Sequence, residues 1–152
     1  MAGEFKLLVF KLGEQSFAAD IVEVERILNY EEPTKLPDSE DFLEGVINYQ
    51  EGILPVISLA KKFGIAGSET KDNKGSIIVA RNGEEALGVI VEAVNEVISM
   101  DSSDLEETPD ISSNISKRYI KGLIRDKNKN NIILLLNLNR LLSKEEKEKI
   151  EG

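Results

Sequence analysis

Short runs of apolar residues, separated by turn-forming residues, alternate along most of the chain. Such runs, when bounded by Gly, Asn or Asp, are typical of strands that are buried on one or both faces. The pattern therefore predicts roughly ten strands and a mainly β protein made of two small barrels, because closing a sheet removes its exposed edges. The runs span residues 7–12, 16–19, 26–30, 45–49, 53–57, 76–81, 86–91, 96–100, 120–124 and 132–138.

Residues that tolerate positive φ mark two tight turns. Gly13-Glu14 and Asn82-Gly83 each follow an apolar run directly and are followed by another, which is the arrangement of a β-hairpin. We therefore expect each of these two pairs of runs to form antiparallel neighbours.

Helices are expected to be few and short. Ser58 and Gly64 have the types preferred at the two caps of a helix over 59–63. Asp20 can cap a helical turn over 20–25, which would place Ile21 and Val24 on one face. The similar stretch IVEAV at 90–94 predicts a second helical turn that presents Val91 and Val94.

The chain repeats its own pattern of residues. Few positions are identical, but three blocks match in the same order, and the second block carries a glycine in each copy. We expect one domain over 1–152 with an internal pseudo-repeat at approximately 5–64 and 75–143, whose strands can be exchanged between the two spatial halves. The matching blocks are 7–28 with 77–98, 42–47 with 119–124, and 53–59 with 132–138.

Composition narrows the classes of function. The net charge of −9 and the pI near 4.7 oppose binding to nucleic acid or to an anionic membrane. His and Cys are both absent, so the commonest general base and the most versatile metal ligands are missing. We expect neither an enzyme nor a bound cofactor or metal. The absence of Cys permits a cytosolic location. No signal peptide or apolar run long enough to span a bilayer is expected.

One polar turn partly resembles a calcium-binding loop. Asp126, Asn128 and Asn130 have the spacing of the first ligands of an EF-hand. The sixth position is Asn131 instead of Gly, and the twelfth is Asn137 instead of Glu. The segment is therefore interpreted as a hairpin turn, with no metal.

Small and apolar residues suggest a cleft between the two halves. Gly45 and Gly88 leave room for another group to approach the backbone, and Val24 and Val94 offer small apolar ridges. These residues could simply fill a core between the halves. They could also line a groove that accepts a partner helix.

Four motifs give the chain a resemblance to the CheW family of bacterial chemotaxis coupling proteins. They are FKLG at 10–13, FAADIVEV at 17–24, TKLP at 34–37 and GVINYQEGILPVISL at 45–59. The resemblance extends from about Lys6 to Leu142. It implies two five-stranded SH3-like barrels on a shared core, with short helices.

The same resemblance implies a non-enzymatic adaptor and its partners. Such an adaptor joins the cytoplasmic tip of a methyl-accepting chemoreceptor to the regulatory domain of a histidine kinase in signalling arrays. It would be a cytoplasmic monomer when free, recruited to membrane receptors through its partners, with no direct contact to membrane or nucleic acid.

Site residues follow from the same resemblance, position by position. They imply a receptor-binding groove and a hairpin turn held by Asn48. The groove residues would be Ile21, Val24, Gly45, Gly88 and Val94.

The hairpin motif departs from the family pattern N-L-R-G. Here the stretch reads Asn48-Tyr49-Gln50-Glu51, so the usual Arg and Gly are both replaced, and Arg26 stands where an acidic residue is common. One interpretation is a rearranged charge pair between Arg26 and Glu51. The alternative is a CheW-like scaffold that serves another receptor–kinase signalling system.

Overall fold

The computed structural model describes residues 4–37, 39–65, 75–83, 85–107, 119–126 and 131–141. Most of these residues lie in strands, as the apolar runs predict. In chain order the elements are β1 (Glu4–Leu12), β2 (Gln15–Asp20), β3 (Val24–Asn29), β4 (Leu43–Tyr49), β5 (Gly52–Ser58), α1 (Leu59–Phe63), β6 (Ser76–Asn82), β7 (Glu85–Val91), β8 (Ala93–Asp101), β9 (Leu105–Glu106), β10 (Ile120–Asp126) and β11 (Asn131–Leu136).

The strands form two mixed sheets, each curled into an SH3-like barrel. The first barrel has the strand order β8-β1-β2-β11-β10-β9, and the second has the order β3-β6-β7-β5-β4. Neighbours are antiparallel except for two parallel pairs, β2 with β11 and β5 with β7. The mainly β fold of two barrels is therefore confirmed. The first sheet has a sixth strand because the two-residue β9 pairs with β10 at its edge.

Successive side chains of a strand point to opposite faces, and they pack in three separate hydrophobic cores. In β1, Leu7 and Val9 face the interior of the first barrel, whereas Leu8 and Phe10 face a core shared by both barrels. The second barrel has its own interior, built from residues of β4 to β7 such as Val79. Since most strands are covered on both faces, they appear in the sequence as continuous apolar runs.

The hairpin and helix signals are confirmed at most positions. Gly13 and Gly83 have φ of 59° and 66°, in the turns between β1 and β2 and between β6 and β7. In α1, the Ser58 hydroxyl accepts a hydrogen bond from the Lys61 amide, and Gly64 ends the helix in the left-handed region. Local capping chemistry is sufficient to specify these ends.

Two predicted helical turns differ from the structure. The first is a 3-10 turn over Ile21–Glu23, called the crossover turn below because it connects β2 to β3, and Val24 already begins β3. The second is absent, since Val91 ends β7 and Val94 lies within β8. Pairing with neighbouring strands outweighs the weak local helical signal. The calcium-like turn at 127–130 lies outside the described residues.

Candidate functional site

β3 and β8, an edge strand of the second and of the first barrel, each contain a bulge. The register of β3 against β6 shifts between Val24 and Arg26, so Glu25 is an extra residue. The register of β8 against β1 shifts in the same way, and Asn95 is extra there. A bulge changes which face the following residues occupy. As a result, residues three apart, such as Val24 and Ile27, lie on the same face of the strand.

The bulged strands place apolar side chains beside the core that the two barrels share. Val24 and Ile27 stand opposite Ala80 and Ile78 on β6. Val94 and Val97 stand opposite Phe10 and Leu8 on β1. All four opposing residues belong to the shared core, so both rows lie on strands that border this core. We call Val24, Ile27, Val94 and Val97 the inter-barrel groove.

Exposure differs within each row of the inter-barrel groove. Val24 and Val94 are half-buried and pack against the shared core. Ile27 and Val97 are 44% and 51% exposed, although both are large apolar residues. The sequence-based site omitted this exposed pair. The internal repeat could have found it, because an offset of 70 residues places Ile27 on Val97.

Two further apolar side chains are exposed on the crossover turn. Ile21 is 38% exposed and Val22 is 81% exposed. The Asp20 carboxylate caps the turn by accepting a hydrogen bond from the Val22 amide at 3.1 Å. The crossover turn extends the apolar surface where the chain passes from one barrel to the other.

Gly45 does not face the inter-barrel groove, contrary to the sequence-based expectation. It is buried in β4 with φ of 142°, and a Cβ there would collide with the carbonyl group of Thr34. Thr34 exchanges two backbone hydrogen bonds of 2.9 Å with Val46. The group that approaches Gly45 is therefore this chain's own backbone, which closes the second barrel against β4.

Gly88 likewise contacts the barrel interior. A Cβ at this position would lie 3.0–3.2 Å from side-chain atoms of Ile77, Val56 and Leu54. All three belong to the core of the second barrel. The space left by the missing side chain is filled by packing, so the groove prediction for Gly88 is corrected in the same way.

The β4–β5 turn is formed by the two residues that replace the family's Arg and Gly. Gln50 and Glu51 have φ of 47° and 63°, and Tyr49 pairs with Gly52 beside them. Asn48 lies before the turn, exposed and opposite Ile53. Within the described residues its side chain makes no hydrogen bond, so the turn is held without it.

A charge cluster connects three strands at this end of the second barrel. The Arg81 guanidinium donates to the Glu25 carboxylate with an Nε–Oε1 distance of 2.5 Å. The Tyr49 hydroxyl donates to the same carboxylate at 2.8 Å. Because β3 and β4 are the edges of this sheet, the Tyr49–Glu25 hydrogen bond links the two edges.

Hydrogen bonding within this cluster shifts the pKa of its members. The Arg81 and Tyr49 hydrogen bonds lower the pKa of Glu25. Partial desolvation, together with the hydrogen bond to Glu25, raises the pKa of Tyr49. The expected pair between Arg26 and Glu51 is not formed in the described part of the chain. Arg26 lies close enough to Glu25 to add a smaller coulombic contribution to its shift.

A buried carboxylate on the crossover turn was also missed by the sequence analysis. Glu23 is only 7% exposed, and its Oε1 lies 3.6 Å from Lys121 Nζ on β10. Its Oε2 has no hydrogen-bond partner in the described structure. This ion pair attaches the crossover turn to the first barrel.

Neither a metal site nor a membrane-spanning helix is found in the described residues. No group of three or more acidic, His or Cys side chains is placed there to hold an ion. Among the helices described, none combines the length and apolar character needed to cross a bilayer.

Two small barrels share one core, and exposed apolar residues of β3 and β8 lie on strands that border it. Residues 6–146 match the family model described as the CheW-like domain. The chain therefore belongs to the CheW-like domain family of chemotaxis proteins.

Relatives of known name agree with this assignment. The chemotaxis protein CheW of Thermotoga maritima is 34% identical over 139 residues, which cover 91% of this chain and 88% of that protein. The probable chemotaxis protein CheW of Rhizobium etli is 31% identical, with 96% and 92% covered. The crystal structure of the scaffolding protein TtCheW from Thermoanaerobacter tengcongensis has a TM-score of 0.84 and 31% identity, with 95% and 91% covered.

Proposed function

We propose that this protein is a non-enzymatic adaptor that couples chemoreceptor tips to the chemotaxis histidine kinase. The inter-barrel groove binds the helical cytoplasmic tip of the receptor, and the ends of the barrels bind the kinase regulatory domain. The protein acts in the cytoplasm and reaches the membrane array through these partners. The exposure of Ile27 and Val97 on facing rows is the observation that carries the proposal.

The dimensions of the inter-barrel groove suit a helix. The six residues of β3 span about 20 Å, which corresponds to between three and four turns of helix. In this proposal, the two rows of β-branched side chains form an apolar channel, and an amphipathic helix fills such a channel with residues spaced three and four apart. A partner that buries Ile27 and Val97 removes both from water.

The kinase side of the proposal rests on two other exposed residues. Ile53 is 70% exposed at the start of β5, and Ile132 is 50% exposed near the start of β11. They occupy matching positions of the repeat, one on each barrel, away from the shared core. Each barrel thus offers an exposed apolar contact near the start of a strand for a regulatory domain of similar fold.

Charge substitutions in the groove test receptor binding directly. We expect Ile27→Asp and Val97→Asp to weaken binding to a chemoreceptor tip fragment about tenfold or more, since each buries a charge in the interface. Both side chains are largely exposed in the free protein, so thermal stability should change little. Size-exclusion co-elution and titration measure the effect. Ile53→Asp is the matched control and should leave receptor binding intact.

The kinase contact is tested with the same set of variants. Ile53→Asp or Ile132→Asp should reduce co-elution with the kinase regulatory domain, and the affected variant identifies the barrel that docks. If all four variants bind both partners like the wild type, the proposed docking sites are wrong; if the wild type itself binds neither partner, the adaptor proposal is wrong.

A second candidate is a CheW-like scaffold for another receptor–kinase signalling system. The observation that favours it is the Gln50-Glu51 turn, which replaces the family's Arg and Gly. Under this alternative the groove would bind a helical receptor segment outside chemotaxis. Comparing binding of chemoreceptor tips with that of other receptor fragments from the same organism separates the two.

A further inference from the structure

The two walls of the inter-barrel groove run in opposite directions. Asp20, the last residue of β2, pairs with Leu7, so Ile21 and the start of β3 come next to Lys6. At the other end, Asn29 pairs with Ser76, and Ser76 pairs with Val91. The chain then reaches β8, where the Glu92 amide donates to the Lys11 carbonyl. The start of each wall therefore lies near the end of the other.

This arrangement gives the groove an approximate two-fold symmetry. Val24 corresponds to Val94 and Ile27 to Val97, with polar residues ending both rows. The polar ends also correspond, since Asn29 stands opposite Ser76 and Ser99 stands opposite Lys6. A groove with matching ends would accept an apolar helix in either direction. Something must break the symmetry for the partner to dock in a single orientation.

Lys6 is the largest departure from the symmetry. It lies on the same face of β1 as the shared-core residue Leu8, whereas its counterpart on β6 is the small neutral Ser76. Lys6 is exposed, and its ammonium makes no ion pair or hydrogen bond with any other described residue. Among the residues that the structure describes, one cation therefore adjoins the apolar rows, and it lies at one end of the groove.

Acidic residues lie beyond Lys6 on the same face. Glu4 pairs with Asp101 one step further along β1, about 7 Å from Lys6 along the strand. The Asp101 carboxylate accepts a hydrogen bond from the Ser103 amide at 3.0 Å and is fixed in place. Moving outward from the apolar rows, the groove thus presents a positive charge and then negative charges.

We infer that Lys6 orients the partner helix by pairing with an acidic side chain that adjoins the helix's apolar stripe. A basic side chain one turn further along the helix then meets Glu4 and Asp101. This inference rests on the proposed groove and adds the direction in which the helix lies and its charge pattern. Opposite charges at an interface rim fix orientation more than they add affinity.

Orientation is measured with single spin labels, because the chain has no cysteine of its own. One label is placed at Ser99→Cys or Asn29→Cys, at opposite ends of the groove, and one beside the apolar stripe of a chemoreceptor tip fragment. We expect one inter-label distance for each site in the otherwise wild-type protein. Lys6→Ser, which makes this position match Ser76 and removes the largest departure from the symmetry, should add a second distance at both sites.

Affinity provides an independent readout. Lys6→Glu should weaken binding to the receptor tip about three- to tenfold, with the loss decreasing at high salt. Lys11→Glu is the matched control, because Lys11 is an exposed lysine on the opposite face of the same strand. It should bind like the wild type.

The outcomes separate this inference from the proposed function. If Lys6→Ser keeps a single orientation, or Lys11→Glu weakens binding as much as Lys6→Glu, the inference is wrong while the groove stands. If Ile27→Asp and Val97→Asp leave binding unchanged, or the tip does not bind the wild type, both the groove and the inference are overturned.

Discussion

Gly45 and Gly122 occupy matching positions in the two barrels, and each lies beneath the backbone that closes its sheet. A Cβ at Gly45 would collide with the Thr34 carbonyl, and a Cβ at Gly122 would lie 2.7 Å from the Glu106 carbonyl oxygen. In each barrel, the glycine allows a second backbone segment to approach closely. This segment is Thr34 beside β4 in the second barrel and β9 beside β10 in the first.

Replacing Gly45 should destabilise the second barrel. We expect Gly45→Ala to lower the free energy of unfolding by more than about 2 kcal/mol, because it adds both a backbone collision and positive-φ strain. Urea denaturation measures the change. Gly52→Ala is the control, since its Cβ would meet only Tyr49 at an ordinary 3.6 Å. Equal effects of the two substitutions would contradict the role of Gly45 in closure.

The β4–β5 turn stores backbone strain that substitution can relieve. Gln50 and Glu51 are the only described non-glycine residues with positive φ. We expect the double change Gln50→Asn with Glu51→Gly to stabilise the protein by about 1 kcal/mol, because Asn-Gly suits a turn with two positive φ values. The midpoint of urea unfolding should rise. Glu31→Gly, at an exposed position without positive φ, should lower it slightly.

The charge cluster should be visible in the titration of Glu25. Arg81 and Tyr49 lower the pKa of Glu25. The carboxyl resonance of Glu25 should therefore titrate below the pKa of an ordinary glutamate, which is about 4.3. Arg81→Gln should move the midpoint upward, and Tyr49→Phe should move it upward by less. Lys35→Gln, at an exposed position outside the cluster, should have no effect.

The sign of the linkage follows from this shift. A carboxyl group with a lowered folded pKa contributes stability above its unfolded pKa and loses it as pH falls through the folded value. The difference in stability between wild type and Arg81→Gln should therefore be present at neutral pH and disappear in acid. If the difference in stability persists unchanged below the folded pKa of Glu25, Arg81 stabilises the protein by some means other than its pairing with the Glu25 carboxylate.

The buried ion pair on the crossover turn should depend on both of its members. Lys121→Met should destabilise by about 1–3 kcal/mol, because the Glu23 carboxylate would be left without its cation. The double change Glu23→Leu with Lys121→Met should recover most of that loss, since no buried charge remains. Thermal or urea unfolding of the wild type, of Lys121→Met and of the double variant measures these changes in stability. An additive double change would mean that the two residues do not interact.

Much of the architecture was determined by local sequence signals. Apolar runs identified the strands, Gly13 and Gly83 marked hairpins, and Ser58 with Gly64 delimited the α-helix α1. The residues that we propose as the inter-barrel groove overlap only partly with those expected from the sequence. Val24 and Val94 lie in it, whereas Gly45 and Gly88 lie beneath closing or packed segments.

The remaining features depend on contacts between residues far apart in the chain. The bulges at Glu25 and Asn95 decide which face Ile27 and Val97 occupy, and a bulge is set by pairing with β6 or β1, which lie distant in sequence. The partner of Glu25 is Arg81, 56 residues away, although Arg26 is adjacent. The sequence by itself determined the strands, turns and caps, because these depend on neighbouring residues. Register, barrel closure and charge pairing were decided only by the tertiary structure, because they depend on which strands meet.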